Sequence, residues 1–215
     1  MSKIEEYKKK INYQTWEDIH KVEKIKEIIG PPVFDLVSSN DPILKQPTDP
    51  WNWFEDYQGR DSIRFAEMLA NTMIKNGGIG LAAPQCGFPV SVFAMGDPTN
   101  KDSIAVYFNP KIVDFSEEKV YLEEGCLSFP GLYVKIKRPE NIRMRFSDAS
   151  GKTNTIKLSG ISARVAQHEC DHLLGVVYTR KANSYHLTQA KKMQKKLRRR
   201  ARKAAVSGNN LDRVA

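Results

Sequence analysis

The chain has few cysteines and no long apolar run. The first shortage argues against a disulfide-rich protein, and the second argues against a protein that spans a membrane. Three cysteines among 215 residues are too few, and odd in number, for a disulfide framework, which favours a reducing compartment. No apolar run approaches the roughly 20 residues needed to span a bilayer. Residues 1–10 are polar and of mixed charge, which argues against a secretory signal. We therefore expect a globular protein of the cytoplasm.

Acidic residues are missing from a long stretch near the C-terminus, and this absence locates the positive charge. Between Leu173 and Asn210 there is no Asp or Glu, but there are eleven Lys and Arg. Subtracting these eleven charges from the net charge of +9 leaves −2 for the rest of the chain. The pattern predicts a basic helix that is either simply solvated or able to neutralise RNA phosphates.

Breaker residues and hydrophobic periodicity divide the chain into three segments. They predict a polar extension over residues 1–30, a main domain over residues 31–182, and a basic helix and tail over residues 183–215. Within the main domain, an apolar stripe predicts a helix from Asp61 to Lys75, with Asp61 or Ser62 as its cap and Asn76-Gly77-Gly78 as its stop. The stripe consists of Ile63, Ala66, Met68, Leu69, Met73 and Ile74. Short β-branched or alternating runs predict strands near residues 90–95, 104–108, 132–136, 142–146 and 153–158, before a second helix. Strands followed by helices predict an α+β fold.

The segment from Gln167 to His172 has the pattern of a metal site with its own base. Residues four apart on a helix share one face, so His168 and His172 can bind one cation together. Glu169 lies beside the first histidine, where its carboxylate can accept and return protons. A catalytic site of this kind uses three protein ligands, so one more is needed.

The third ligand is missing downstream of this helix. Tyr178 occupies the position at which the metzincin pattern has its third histidine, and no carboxylate follows until Asp212. Upstream, Cys126 lies in a segment framed by Gly125 and Pro130, and a thiolate binds such metals well. Cys126 is therefore the candidate third ligand.

A further segment, Gly78-Ile79-Gly80-Leu81-Ala82-Ala83-Pro84-Gln85, combines small residues with one polar side chain. Small residues let a backbone approach a ligand closely. Together with Glu124-Gly125-Cys126-Leu127-Ser128 and the two-histidine helix, this segment resembles the peptide deformylase family. That family carries Gly-x-Gly-x-Ala-Ala-x-Gln, Glu-Gly-Cys-Leu-Ser and His-Glu-x-x-His in the same order. The resemblance extends from about Asp41 into the final helix.

The resemblance implies a reaction and a site. The enzyme would remove the formyl group from the formylmethionine of nascent proteins, and antiparallel sheets would pack around the two-histidine helix. Cys126, His168 and His172 would hold the metal, usually Fe(II), with zinc, nickel or cobalt also able to bind. Glu169 would act as the base. The Gln85 amide and the Leu127 N–H would stabilise the oxyanion.

The resemblance also implies how the substrate and the ribosome would bind. An extended peptide would pair with backbone around Gly80, and its methionine side chain would enter a pocket formed by Ile79, Leu122 and Val165. Family members dock on ribosomes through a C-terminal helix, which gives the basic helix a target. Two alternatives stay open: an ordinary metallopeptidase, and a non-catalytic RNA- or ribosome-binding protein on the same fold. We also expect Glu124 to pair with Arg138.

Overall fold

The computed structural model describes residues 31–211 of the chain, with side chains to residue 202, so the predicted extension over residues 1–30 lies outside the described residues. Residues from Phe34 onward belong to one compact unit. Its strands are β1 (Gly80–Ala82), β2 (Val92–Met95), β3 (Ala105–Phe115), β4 (Lys119–Glu124), β5 (Val134–Pro139), β6 (Asn141–Ser147) and β7 (Thr153–Ser159). Its α-helices are α1 (Ser62–Lys75), α2 (Gly160–Leu173) and α3 (Ser184–Leu211).

The strands form two antiparallel sheets, and the predicted α+β class is confirmed. One sheet has the order β1-β2-β3-β6-β7, and the other is the ribbon β4-β5. The predicted strands all exist, with ends that differ by up to three residues except for β3, which extends to Phe115 instead of ending at residue 108. Strands β1 and β4 were not predicted. β1 is only three residues long, and β4 mixes charged with apolar residues, so neither has a strong sequence signal.

Helix α1 packs one face on the large sheet. The Asp61 side chain accepts a hydrogen bond from the Arg64 N–H and so caps the predicted start of the helix. The buried face consists of Phe65, Met68, Leu69, Thr72 and Met73, at helical spacing. Ile63 was predicted to belong to this apolar stripe, but it is exposed because it lies on the opposite side of the first turn.

Helix α2 is the central element, and it is buried along nearly its whole length. It contacts β1, β2, β3, β6 and β7 of the large sheet and also β5 of the ribbon. Ala163, Ala166 and Cys170 face the large sheet and join a core that includes Phe93 and Met144. The opposite face carries polar side chains that point between the sheet and the ribbon, so the helix brings them to one place.

Helix α3 carries the basic residues of the C-terminal segment and contacts β5. Its start agrees with the predicted start near residue 183. Among the described residues, no helix is both long and apolar enough to cross a membrane.

The packing of α1 makes a testable prediction. Phe65 is fully buried and its ring contacts those of Phe34, Trp51 and Phe88, so we expect Phe65→Ala to lower the free energy of unfolding by about 3–5 kcal/mol. Urea denaturation measures this loss. Ile63→Ala on the same helix is the control, and it should change the value by less than about 0.5 kcal/mol. Equal losses in both variants would contradict this assignment of the buried face.

Candidate metal centre

Three potential ligand atoms meet beside helix α2. Cys126 follows the end of β4, and His168 and His172 lie one turn apart on α2. Their donor atoms all lie within 4.8 Å of one another, and the Cys126 Sγ is 3.2 Å from the His172 Nε2. One sulfur and two imidazole nitrogens suit a borderline divalent metal such as zinc or iron. The donor set therefore fits a catalytic metal site.

The ring of His168 is oriented by a carboxylate from the ribbon. Its Nδ1 is 3.0 Å from the Glu124 Oε2, which leaves the Nε2 directed towards the other ligands. Burial lowers the pKa of His168, but hydrogen bonds with Cys126 and Glu124 outweigh it and raise this pKa to about 10. A cation displaces such a shared proton when it binds. A carboxylate behind a ligating histidine is a recurring feature of metal sites, because it fixes the ring and its tautomer.

Glu124 is held by a buried ionic network, and the predicted pair with Arg138 is confirmed. The Nε and Nη2 of Arg138 lie 2.6 and 2.8 Å from the two oxygens of Glu124. Burial opposes ionisation of Glu124, yet its bonds with Arg138 and His168 lower the pKa of Glu124 to about 2. Arg138 also pairs with Asp171, which Lys181 contacts from the surface side. Asp171 therefore belongs to this network as a partner of two cations.

His172 is kept neutral by its surroundings. Burial, followed by the charges of His168 and Arg138, lowers the pKa of His172 to about 3. A neutral imidazole has a lone pair available for a metal. Tyr178, at the position of the missing histidine ligand, is buried instead; its ring lies 5.2 Å from that of His168, and its hydroxyl donates to the Leu132 carbonyl. Tyr178 thus supports the centre without donating an atom to it.

Glu169 lies in the cleft between α2 and β1. It is buried, and desolvation raises the pKa of Glu169 to about 7 even though the charge of His168 lowers it. Its Oε2 has no hydrogen-bond partner among the described residues. A Cβ on Gly80 would overlap the Glu169 Oε1 and lie 2.7 Å from the Val165 Cγ1. The glycine in β1 is therefore required by the close approach of this carboxylate.

Gln85 points its amide towards the sulfur of Cys126. The Oε1 accepts a hydrogen bond from the Ala82 N–H at 2.8 Å, which fixes the orientation of the amide. The Nε2 then lies 3.1 Å from the Ser128 Oγ and 3.5 Å from the Cys126 Sγ. The Cys126 carbonyl accepts from the Phe129 N–H, so this turn does not use the N–H of Leu127. The Gln85 Nε2 thus lies next to the candidate ligand, and the N–H of Leu127 follows it directly in the chain.

A cavity of about 470 Å³ opens over these groups. Of the predicted pocket residues, Ile79, Gly80 and Val165 line it together with Cys126, His168 and Glu169, whereas Leu122 on β4 is not among its lining residues. Ile161, Arg164 and Tyr133 line it and were not predicted. The sequence contained a signal for two of these residues. Arg164 lies one helical turn before His168 and Ile161 lies two turns before it, so both share the face of the helix that carries the histidine.

The other two cysteines lie apart from the centre. Cys86 and Cys170 are buried in the two cores that flank the large sheet, and none of the three cysteines forms a disulfide. Burial raises the pKa of each of these two thiols to about 12, so they stay protonated. They behave as small packed residues.

Comparisons with known proteins agree with this geometry. The family model for polypeptide deformylase matches residues 33–187. The chain is 39% identical to a peptide deformylase of Parafrankia sp., over 68% of this chain and 76% of that one. It is 38% identical to the chloroplastic peptide deformylase 1B of Oryza sativa, over 68% of this chain but only 54% of that one.

A solved structure shares the fold. The peptide deformylase of Synechococcus elongatus, solved in complex with actinonin, superposes with a TM-score of 0.67 at 32% identity, covering 75% of this chain and 86% of that one. These matches favour the deformylase over the metallopeptidase and the non-catalytic RNA-binding protein. The chain therefore belongs to the polypeptide deformylase family and is a metal-dependent enzyme that removes the N-formyl group from nascent proteins.

Proposed function

We propose that Cys126, His168 and His172 hold the catalytic metal of this deformylase, with Glu169 as the proton carrier and with Gln85 and Leu127 as oxyanion donors. The observation that supports this most is the meeting of three ligand atoms within 4.8 Å beside an unpartnered buried carboxylate oxygen. A divalent cation bound there supplies a Lewis acid that polarises the formyl carbonyl. The remaining chemistry belongs to side chains and backbone of the chain.

The metal that we propose is Fe(II), as the resemblance to the family implies, and the donor set also suits zinc, nickel or cobalt. Metal analysis of protein purified without oxygen tests this assignment. One iron per chain supports it, and stoichiometric zinc with no iron in such a preparation contradicts it.

Glu169 carries the proton from the attacking water to the leaving amine. Its carboxylate accepts a proton as the water oxygen adds to the formyl carbon. When the carbon–nitrogen bond breaks, the same group gives that proton to the departing α-amine, and formate and a free N-terminus result. Burial suits this role, because a carboxyl group whose pKa is raised to about 7 can both accept and donate protons near neutral pH.

Gln85 and Leu127 stabilise the negative charge that develops on the formyl oxygen. The Gln85 amide is already oriented by the Ala82 N–H and by Ser128, so it needs no rearrangement during the reaction. Leu127 directly follows Cys126 in the chain, and both residues line the cavity, so its N–H is available beside the sulfur. Donors that are fixed before the reaction stabilise a transition state more than donors that must reorient.

The substrate peptide binds along β1. β1 is the end strand of its sheet, and Gly80 on it lines the cavity, so the edge of the sheet at Gly80 faces the space for a peptide. An extended peptide that pairs with Gly80 there would bring its first residue to the metal centre. Ile79 and Val165 line the cavity and provide an apolar site for the methionine side chain; Leu122 was assigned to the same pocket and lies outside the lining.

Helix α3 provides a contact with the ribosome, where the substrate emerges. Five cations form one patch on it, the basic patch, which consists of Lys192, Lys195, Lys196, Arg199 and Arg200. Such a cluster suits RNA phosphates better than an apolar partner. The cytoplasm is the location that we propose, in keeping with this partner. The domain limits at residues 30 and 182 also remain our proposal.

The role of Glu169 predicts the outcome of a conservative substitution. Glu169→Gln keeps the size of the side chain but cannot accept a proton, so we expect formate release from a formyl-Met peptide to fall by about 10²–10⁴. Bound metal should stay at one per chain, because none of the three ligands is changed. A variant that retains metal and also keeps half of the native rate would contradict the assignment.

The oxyanion role of Gln85 predicts a different signature. Gln85→Glu keeps the oxygen that accepts from the Ala82 N–H but replaces the donor by an acceptor, so kcat should fall by about 10²–10³. KM should change little, because the amide acts on charge that develops only in the transition state. A higher KM at unchanged kcat would instead assign Gln85 to substrate binding.

The basic patch predicts salt-dependent binding to ribosomes. Replacing three cations of the patch, Lys192, Lys196 and Arg199, by glutamine should weaken co-sedimentation with bacterial ribosomes at least tenfold and reduce the dependence on salt. The control replaces Lys191, Arg198 and Arg202, which lie on another face of the same helix and outside the patch. Equal loss in both variants would indicate non-specific attraction, and no loss in either would remove the proposed contact.

A further inference from the structure

Arg164 is a buried arginine that lines the cavity, one turn before His168. Because Arg164, His168 and His172 follow one another at intervals of four residues, they lie along one face of α2. An arginine is rarely buried unless its donors are paired. The hydrogen-bond partners of Arg164 therefore indicate which elements it connects.

The guanidinium of Arg164 connects α2 to both strands of the ribbon. Its Nη1 lies 2.9 Å from the Glu124 Oε1 and 2.8 Å from the Ile136 carbonyl on β5. Its Nη2 lies 2.8 Å from the Val120 carbonyl on β4. These three bonds join the helix that carries two candidate ligands to the strand that ends two residues before the third, Cys126.

Arg164 also completes the set of donors around Glu124. The Oε1 of this carboxylate accepts from Arg138 and Arg164, and the Oε2 accepts from Arg138 and His168. Arg138 bonds both oxygens of Glu124 and so fixes the plane of this carboxylate. Arg138 and Gln167 also tie β5 to α2, through Asp171 and the Pro139 carbonyl. The particular contribution of Arg164 is its bond to the backbone of β4, the strand that leads to Cys126.

We propose that Arg164 is a positioning residue that sets the distance between Cys126 and the two histidines, and so controls how tightly the centre retains its metal. The inference rests on the metal ligands proposed above. It assigns no contact between Arg164 and the metal or the reacting atoms. Without the planar fork of Arg164, β5 keeps its ties to α2, but the backbone of β4 loses its bond to the helix, and the thiolate that follows β4 shifts with it.

The test is to compare Arg164→Lys with native protein after both are loaded with Co(II). Lysine keeps the positive charge and most of the stem, but one ammonium cannot span Glu124, Val120 and Ile136 as the guanidinium does. We expect cobalt to be released to a chelator about tenfold faster and the thiolate-to-cobalt absorption to be weaker, because partners behind the ligands tune metal retention by 10–100-fold. The matched control is Arg60→Lys, since Arg60 also donates to backbone carbonyls but lies in the loop before α1.

A second pair of variants distinguishes positioning of the Cys126 thiolate from a general loosening of the protein around the metal. In a Cys126→Ala background the thiolate is gone, so Arg164→Lys should change the rate of cobalt release by less than twofold. Equal acceleration with and without Cys126, or a native release rate in Arg164→Lys, would overturn the proposal. Absence of the thiolate absorption from the native protein would instead refute the proposed ligands, so the two failures are distinguishable.

Discussion

The buried carboxylate of Glu124 is the group on which the arrangement of the proposed metal centre depends. A charge in this position is stable only because four donors from Arg138, Arg164 and His168 surround its two oxygens. Those donors come from the ribbon and from α2, so satisfying one carboxylate also brings the two elements together. Removing one partner of such a network typically costs about 3–5 kcal/mol, because a buried charge is left uncompensated.

The helix with two histidines is common to enzymes with different reactions, and its surroundings decide which reaction it supports. In this chain Tyr178 occupies the place of a downstream ligand and packs against the ring of His168. The ligand proposed from the other side is the sulfur of Cys126, whose neighbours include the oriented amide of Gln85. The cavity beside β1 has room for an extended peptide end, which agrees with membership of the deformylase family.

Local patterns in the sequence predicted the helices well, and the site residues came from three motifs taken together. The limits of α1 followed from the Asp61 cap and the Asn76 stop, both of which are local interactions. The assignment of Ile63 to the core was wrong, because Ile63 lies on the side of α1 opposite the buried face and stays exposed to solvent. Leu122 was assigned to the pocket from its position in the chain, and the cavity borders other residues.

The role of Arg164 was beyond the reach of sequence reasoning, because its three partners lie 28 to 44 residues away in the chain. Contacts of this kind appear only once the ribbon and α2 are placed in space. The account as a whole requires that Cys126 and the two histidines bind one metal, and X-ray absorption at the iron edge of anaerobically prepared protein tests this directly. It predicts one sulfur and two imidazole nitrogens among the neighbours of the iron; a spectrum without sulfur would contradict it.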